Sequence, residues 1–353
     1  MLPDVVVDEI PLVDGGEGSA AALAAATGGR LVPVTVTGPV GLPVDSHFAL
    51  FGGTGPRTAV VEMAAAAGLS LVPRDSRDPT VTTSFGVGQL ISAALDAGAT
   101  RILVGCGDSG ICDGGVGALQ ALGVRVIDAM GDELGRGGAA LSEVESIDVS
   151  GLDPRIAGVD VLVAVNPYNV LCGESGVARV FGPQKGATPD QVEQLSAAME
   201  RWAKVLERDL HVDLRAVPGS GASGGLGAGL AAALGARLLP RFEVMIGSVH
   251  LDEAISRADL VITAEGSVDG QTTRGKVPGE VARVAAGYGK PVVALAGTIG
   301  PDADVSYDAG IGGVASILPG PTTLEDAIDR GPEFLCDAAE RVMRLVQIGR
   351  GLA

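Results

Sequence analysis

The sequence predicts an α/β protein of two α/β domains, with mostly parallel sheets and a cleft between them, on three observations. Short β-branched runs alternate with Ala-rich helical stretches along the chain. The runs are apolar almost throughout, as strands covered on both faces must be. Each is bounded by Gly, Pro or Asp, the residues that turn a chain. The expected strands lie in LVPVTVTG (31–38), TAVVEMAAAAGL (58–69), RILVGC (101–106), VRVIDA (124–129), VDVLVAV (159–165), DLVITAEG (259–266), PVVALAG (291–297) and GVASILPG (313–320). Helices are expected over 83–97, 188–209 and 324–348. The second opens with TPDQVEQL, which offers Thr188 as N-cap, Pro189 at the first helical position and Gln191 three residues after the cap. Strand grouping places residues 1–75 with 275–353 in one discontinuous domain and 76–274 in an inserted one.

Composition narrows the function classes. With 353 residues, 46% of them hydrophobic and 19% charged, the chain buries a sizeable core. Its 54 glycines and 20 prolines follow no G-X-Y period, which argues against a fibrous or disordered chain. A net charge of −18 without a Lys/Arg run repels phosphodiester backbones and anionic membranes, so neither nucleic acid nor a membrane is expected as partner. The opening MLPDVVVDEIPLVDGG lacks the basic and apolar regions of a secretory leader. The uncharged stretch 216–236 holds seven glycines and Pro218 and would insert poorly into a bilayer. A cytoplasmic protein is expected. Cys106, Cys112, Cys172 and Cys336 form no CxxC pair and are expected as reduced thiols.

Three glycine-rich stretches carry the chemistry. In GCGDSGICDGG (105–115), Gly105, Gly107 and Gly110 match a dinucleotide fingerprint, with Asp128 eighteen residues beyond Gly110. Asp108 and Asp113 oppose that reading, since carboxylates in a pyrophosphate-cradling turn repel it. Gly107-Asp108-Ser109-Gly110 and Gly221-Ala222-Ser223-Gly224-Gly225 resemble serine-hydrolase turns, but a base would have to come from His47, His211 or His250. PGSGASGGLGAGLAAALGA (218–236) runs into a small-residue helix whose first amides suit an anion, nominating Gly219, Gly221, Gly224, Gly225 and Gly227 as a phosphate site; tight packing of small residues is the competing explanation. AEGSVDGQTTRGK (264–276) sets Glu265, Asp269, Arg274 and Lys276 after a strand, where open α/β sheets bind ligands, with glycines at 266, 270 and 275 that let the backbone approach one.

Together VDGGEGS (13–19), ATGGRLVPVTVTGPVG (26–41), VFGPQKGATP (180–189), PGSGASGGLGAG (218–229) and EGSVDGQTTRGKVP (265–278) resemble the glycerate kinase family of the bacterial type, over nearly the whole chain. That family phosphorylates the hydroxyl of D-glycerate with ATP and Mg²⁺. The resemblance implies that the 219–227 glycines and Lys185 hold ATP phosphates, and that Arg274 and Lys276 offset charge on the transferred group. It implies that Glu265 or Asp269 orients Mg²⁺ or accepts the substrate's hydroxyl proton, with Asp113 as a further metal ligand. Asp14, Glu17, Ser109, Asn166 and Asn169 are implied to line the site of a small hydroxy acid; a homodimer is left open.

Three departures accompany the resemblance. Relatives begin with a further strand and loop ahead of the DGGEG turn, so this chain is expected to be an N-terminally truncated member. They read close to GGSATNDGG where this chain has GDSGICDGG (107–115), placing Asp108 for a glycine and Cys112 for an asparagine. They carry CDVTNPL where this chain has VNPYNVL (165–171), with Asn166 for an aspartate and Asn169 kept. A small-anion-binding homologue without turnover and a nicotinamide-dependent dehydrogenase stay open as alternatives.

Overall fold

A computed structural model describes residues 5–246, 251–273 and 275–350. They divide into two compact units, one of residues 11–246 and one combining 5–10 with 251–350. The divisions therefore fall near 11 and 249, not near 75 and 275. Strand pairing gives the reason: residues 30–62 hydrogen-bond into the sheet of the larger unit, and residues 261–268 pair within the smaller one.

The larger unit is built on a six-stranded sheet. Its strands are β1 (Arg30–Thr37), β2 (Pro43–Leu50), β3 (Thr58–Glu62), β4 (Arg101–Gly105), β7 (Asp160–Val165) and β8 (Arg237–Pro240), in the order β1-β2-β3-β4-β7-β8. β3, β4, β7 and β8 are parallel, and β1 and β2 extend them as antiparallel strands. The central strands read TAVVE, RILVG and DVLVAV, and β3 is buried at every position. Such runs suit a sheet covered on both faces. β2 and β8 were not anticipated: PVDSHFAL mixes polar with apolar residues, as an antiparallel strand toward a sheet edge can, and RLLP is short. A two-stranded antiparallel ladder, β5 (Arg125–Asp128) with β6 (Val144–Asp148), stands beside this sheet.

The helix Pro189–Leu210 begins as its sequence predicts. The Thr188 hydroxyl accepts from the Gln191 amide, and the Gln191 side chain accepts from the Thr188 amide. Leu195, Ala198, Met199, Trp202, Ala203, Val205 and Leu206 are buried along it, a stripe at the helical period. Trp202 is fully buried, and its indole N–H donates to the Gly114 carbonyl at 3.1 Å. The helix is thereby fastened to the loop that follows β4.

That loop is ordered by a buried carboxylate. Asp113 is 1% exposed; its Oδ2 accepts from the amide and hydroxyl of Ser84 at 2.7 and 2.8 Å and from the Gly117 amide at 3.3 Å, while Oδ1 accepts from the Gly115 amide at 3.1 Å. Ser84 and Gly115 are the N-caps of the helices Phe85–Asp96 and Val116–Ala121. One side chain thus serves two helix starts, where amides lack intrahelical partners and a negative charge is favoured. Burial raises the Asp113 pKa and these hydrogen bonds oppose the rise.

The smaller unit carries a parallel sheet of β9 (Val261–Val268), β10 (Val292–Ile299) and β11 (Gly313–Ser316), in the order β11-β10-β9. Leu295 packs there with Ala338 and Val342 of the helix Gly331–Arg350. The single helix expected over 324–348 is two, Leu324–Asp329 and Gly331–Arg350. Gly331 and Pro332 lie at the junction, and a proline cannot continue a preceding helix. Among the described residues no helix is long and apolar enough to cross a membrane.

Two substitutions test this account. Thr188→Ala is expected to cost about 1 kcal/mol, read as a drop of roughly 2–4 °C in Tm. Asp113→Ala strands buried amides at two helix starts and is expected to cost about 3–5 kcal/mol in urea unfolding.

Candidate functional site

The larger unit holds a polar cavity of about 410 Å³ beside the loop after β4. Lys185, Arg77, Ser109, Asn169 and Ser223 line it, with the carboxylates of Glu17 and Asp108. Lys185 follows the short helix Val177–Phe181, in the segment FGPQKG, and is only 2% exposed. Its Nζ donates to Ser109 Oγ at 2.8 Å and to the Ile111 carbonyl at 2.7 Å. Burial pushes its pKa below the ordinary lysine value, while Cys112 and Asp113 act to raise it. The ammonium is held by two neutral oxygens, with no carboxylate in ion-pair contact among the described residues. An arriving anion restores what burial withholds.

Two further polar atoms at this cavity lack protein partners of ordinary geometry. Nε of Arg77 and Oγ of Ser223 are buried without a hydrogen bond. Ser223 sits at φ 51°, ψ 50°, a left-handed backbone that a serine rarely adopts. The Cys106 thiol beside it is pushed up to about 12 by burial, so it is neutral and a weak partner.

The glycines of this loop serve close chain approach. A Cβ at Gly105 would fall 2.5 Å from the Gly15 carbonyl oxygen, and one at Gly107 would fall 2.5 Å from Gly16 Cα. They seat the DGGEG turn, whose Glu17 amide donates to Asp108 Oδ2 at 3.1 Å. The next helix starts at Val116, six residues past the last glycine of the fingerprint, so the G-x-G-x-x-G pattern opens no dinucleotide-type helix. Asp108 adopts φ 52° and adds a carboxylate to the cavity.

Of the residues expected in the substrate site, Glu17, Ser109 and Asn169 line this cavity. Glu17 also accepts from the Ser70 hydroxyl. Asp14 pairs with Arg241 at 3.0 Å and accepts the Gly16 amide at 3.0 Å. The Asn166 side chain accepts from the Tyr168 amide at 3.1 Å, shaping the turn that presents Asn169. Of the phosphate-site glycines, Gly224 lines the cavity. Gly219, Gly221, Gly225 and Gly227 are buried against Val165, Val170, Gly114 and Gly219 respectively, where a Cβ would fall within 3 Å. None of the groups lining the cavity is a histidine, so Ser223 has no base for the hydrolase alternative. The five hydrogen bonds that Asp113 accepts, from the Thr83 hydroxyl, the Ser84 amide and hydroxyl and the Gly115 and Gly117 amides, make it the organiser of this loop.

The smaller unit gathers the other expected group. Lys276 Nζ lies 3.0 Å from Glu265 Oε1 and 3.5 Å from Asp269 Oδ1, and also donates to the Ser267 carbonyl at 3.3 Å. Asp269 accepts the Gln271 amide at 2.8 Å, and its own amide donates to the fully buried Thr272 hydroxyl at 3.0 Å. The Gln271 amide and then Lys276 hold its carboxyl below the ordinary range. Lys276 is the N-cap of the helix Val277–Gly287. This cluster begins at Glu265 within β9 and continues past its end to Lys276, at the carboxyl end of a parallel sheet. Arg274 lies outside the described residues. Among the described residues no group of three or more His, Cys, Asp or Glu side chains could hold a metal on its own.

Sequence reasoning missed Arg77, which sits in a loop without a motif, and treated Ser223 only as a nucleophile. It also missed Glu62, 2% exposed at the end of β3. Glu62 accepts the Ala20 amide, and burial raises its pKa. It anchors the helix Ser19–Thr27 that follows the DGGEG turn.

Comparisons with known proteins agree with this arrangement. A family model described as the glycerate kinase family matches residues 1–347. The glycerate 2-kinase of Escherichia coli (strain K12) is 44% identical over 349 residues, covering 99% of this chain and 91% of the relative. The glycerate kinase of Bacillus subtilis (strain 168) is 44% identical over 350 residues, with the same coverage. A crystal structure assigned as glycerate kinase 2 from Salmonella typhimurium LT2 superposes with a TM-score of 0.82 at 44% identity, covering 99% of this chain and 91% of that one. The chain belongs to the glycerate kinase family.

Proposed function

We propose that this kinase transfers the γ-phosphoryl group of ATP to a hydroxyl of glycerate, with the acid held in the cavity of the larger unit. One observation carries the reading: the buried Lys185 ammonium lines a polar hollow able to hold a small anion, together with Arg77, Ser109, Asn169 and Ser223. In this assignment Lys185 and Arg77 hold the carboxylate, and Ser109, Asn169 and Ser223 orient the hydroxyls. Phosphoryl transfer asks chiefly for positioning and charge neutralisation, which such a set supplies. Glu17 or Asp108, the carboxylates at this cavity, takes the proton of the attacking hydroxyl.

The cluster in the smaller unit is assigned to the donor phosphates. Lys276, with Arg274, offsets charge on the transferred group. Glu265 and Asp269 suit Mg²⁺, which is held by one or two carboxylates together with substrate phosphates, and the depressed pKa of Asp269 keeps it ionised. Bound there, the ion would neutralise developing phosphate charge. Asp113 is left out of the metal set because its oxygens already accept from Ser84, Gly115 and Gly117.

Turnover is tested by ADP release with a panel of hydroxy acids. Glycerate is expected to be the best acceptor; a melting shift with glycerate but no ADP above background would overturn the kinase reading. Lys185→Met is expected to raise KM for glycerate by about tenfold or more with kcat affected less. Only the cationic form of Lys185 binds the carboxylate, and burial lowers its pKa, so KM for glycerate should rise on the alkaline side before an ordinary lysine would deprotonate. Asp269→Asn is expected to lower kcat by about 10²-fold. Because its folded pKa is depressed, the stability that Asp269 contributes is present above the ordinary carboxylate value and lost as pH falls through the lowered one.

A further inference from the structure

The cavity of the larger unit is polarised. Lys185, one of its cations, is 2% exposed, whereas Glu17 and Asp108 are exposed where they line the same hollow. Negative charge therefore stands where the hollow meets solvent and positive charge in its interior. The opposed charges sit on neighbouring segments: Lys185 Nζ donates to Ser109 Oγ at 2.8 Å, and Asp108 is the residue before it.

Asp108 is fixed from three directions. Its backbone takes φ 52°, a left-handed conformation that aspartate tolerates better than most residues. Its carbonyl accepts the Leu69 amide at 2.8 Å, and Ser109 bridges to Gly68 as in a sheet. Its Oδ2 accepts the Glu17 amide at 3.1 Å, against a turn so close that a Cβ at Gly16 would overlap that oxygen. Glu17 is held at its other end, where the Ser70 hydroxyl donates to Oε1. These contacts keep two carboxylates at the cavity with little freedom to turn away.

We propose that Asp108 is a specificity-determining residue: with Glu17 it admits an acid bearing one carboxylate and turns away an acid bearing a second. The inference rests on the placing of glycerate's carboxylate at Lys185 and Arg77. With that end held, the hydroxyl end faces Glu17 and Asp108, as proton removal by either carboxylate requires. A hydroxyl there donates to a carboxylate, whereas a second carboxylate has no proton to donate and meets two like charges. Tartronate carries a carboxylate in place of glycerate's hydroxymethyl group, so the two acids isolate that contrast. Charge must supply the selectivity, since a hollow of about 410 Å³ is too roomy to reject one extra oxygen by size.

Titration calorimetry of the whole chain compares glycerate with tartronate. The parent is expected to bind glycerate at least about tenfold more tightly. Asp108→Asn keeps an oxygen for the Glu17 amide and removes charge; it is expected to narrow that gap about fivefold or more, mainly through tighter tartronate binding. Raising the ionic strength to about 0.5 M should narrow the parent's gap more than the variant's, a response that a structural role of Asp108 alone would not give. Asp108→Gly, which takes φ 52° without strain, reads the same loss of charge if the asparagine chain does not fold. Equal binding of the two acids by the parent, or no measurable binding of either, overturns the inference. So does a gap that stays within about twofold of the parent's in the folded variant. ADP release separates the inference from the reading on which it rests. A parent that discriminates as expected yet releases no ADP with glycerate loses the kinase assignment and keeps the charge filter. ADP release with glycerate and no discrimination keeps the kinase and loses the filter.

Discussion

The larger unit depends on the buried Asp113 carboxylate and the amides that converge on it. Burying a charge in a protein interior is costly unless hydrogen bonds replace water. Here the replacement comes from two helix starts, and Ser84 extends it by accepting the Ala118 amide at 2.9 Å. The loop from Gly105 to Gly117 is thereby held against both helices. Its carbonyls become fixed points: Gly114 receives the Trp202 indole and Ile111 receives Lys185. The rigidity of the cavity wall follows from a residue that does not line the cavity.

Lys185 is held by that rigidity. In the free chain its side chain would be a solvated, mobile ammonium. Held by Ser109 and Ile111 in a site that lowers its pKa, it is a charge whose environment favours an anion. Left-handed Ser223, with only the Cys106 thiol beside it, and the Arg77 Nε, buried without a hydrogen bond, belong to residues of the same cavity. Unmet polar groups in a native interior are rare, and their concentration at one cavity sets it apart from the packed glycine contacts beside it.

The two units divide the chemistry. The larger offers a polar hollow with cations and hydroxyls. The smaller offers a lysine shared by two carboxylates, and an apolar hollow that Glu265 and Gly266 also line. Glycine plays opposite parts in the two. At Gly105 and Gly107 its missing side chain is filled by protein backbone, whereas at Gly266 the space stays open. The same residue type, in stretches that read alike, is structural in one place and leaves open space in the other.

Local signals determined much on their own. Apolar runs between turn residues marked β3, β4 and β7, because a doubly covered strand must be apolar along its length, and marked β9 and β10 as well, although β9 is partly exposed. Thr188, Pro189 and Gln191 marked a helix start, because a capping box is complete within four residues. The EG–DG–RGK motif marked the Lys276 cluster, whose Glu265, Asp269 and Lys276 lie within twelve residues of one another along the chain. Only the tertiary structure decided that Asp113 organises helices while Lys185 faces the cavity, and that Arg77 and Ser223 join it there. These roles depend on partners far away in sequence, such as Ser109 seventy-six residues from Lys185. A residue's burial and the donors that reach it are set by the packing of distant segments, and no local pattern encodes them.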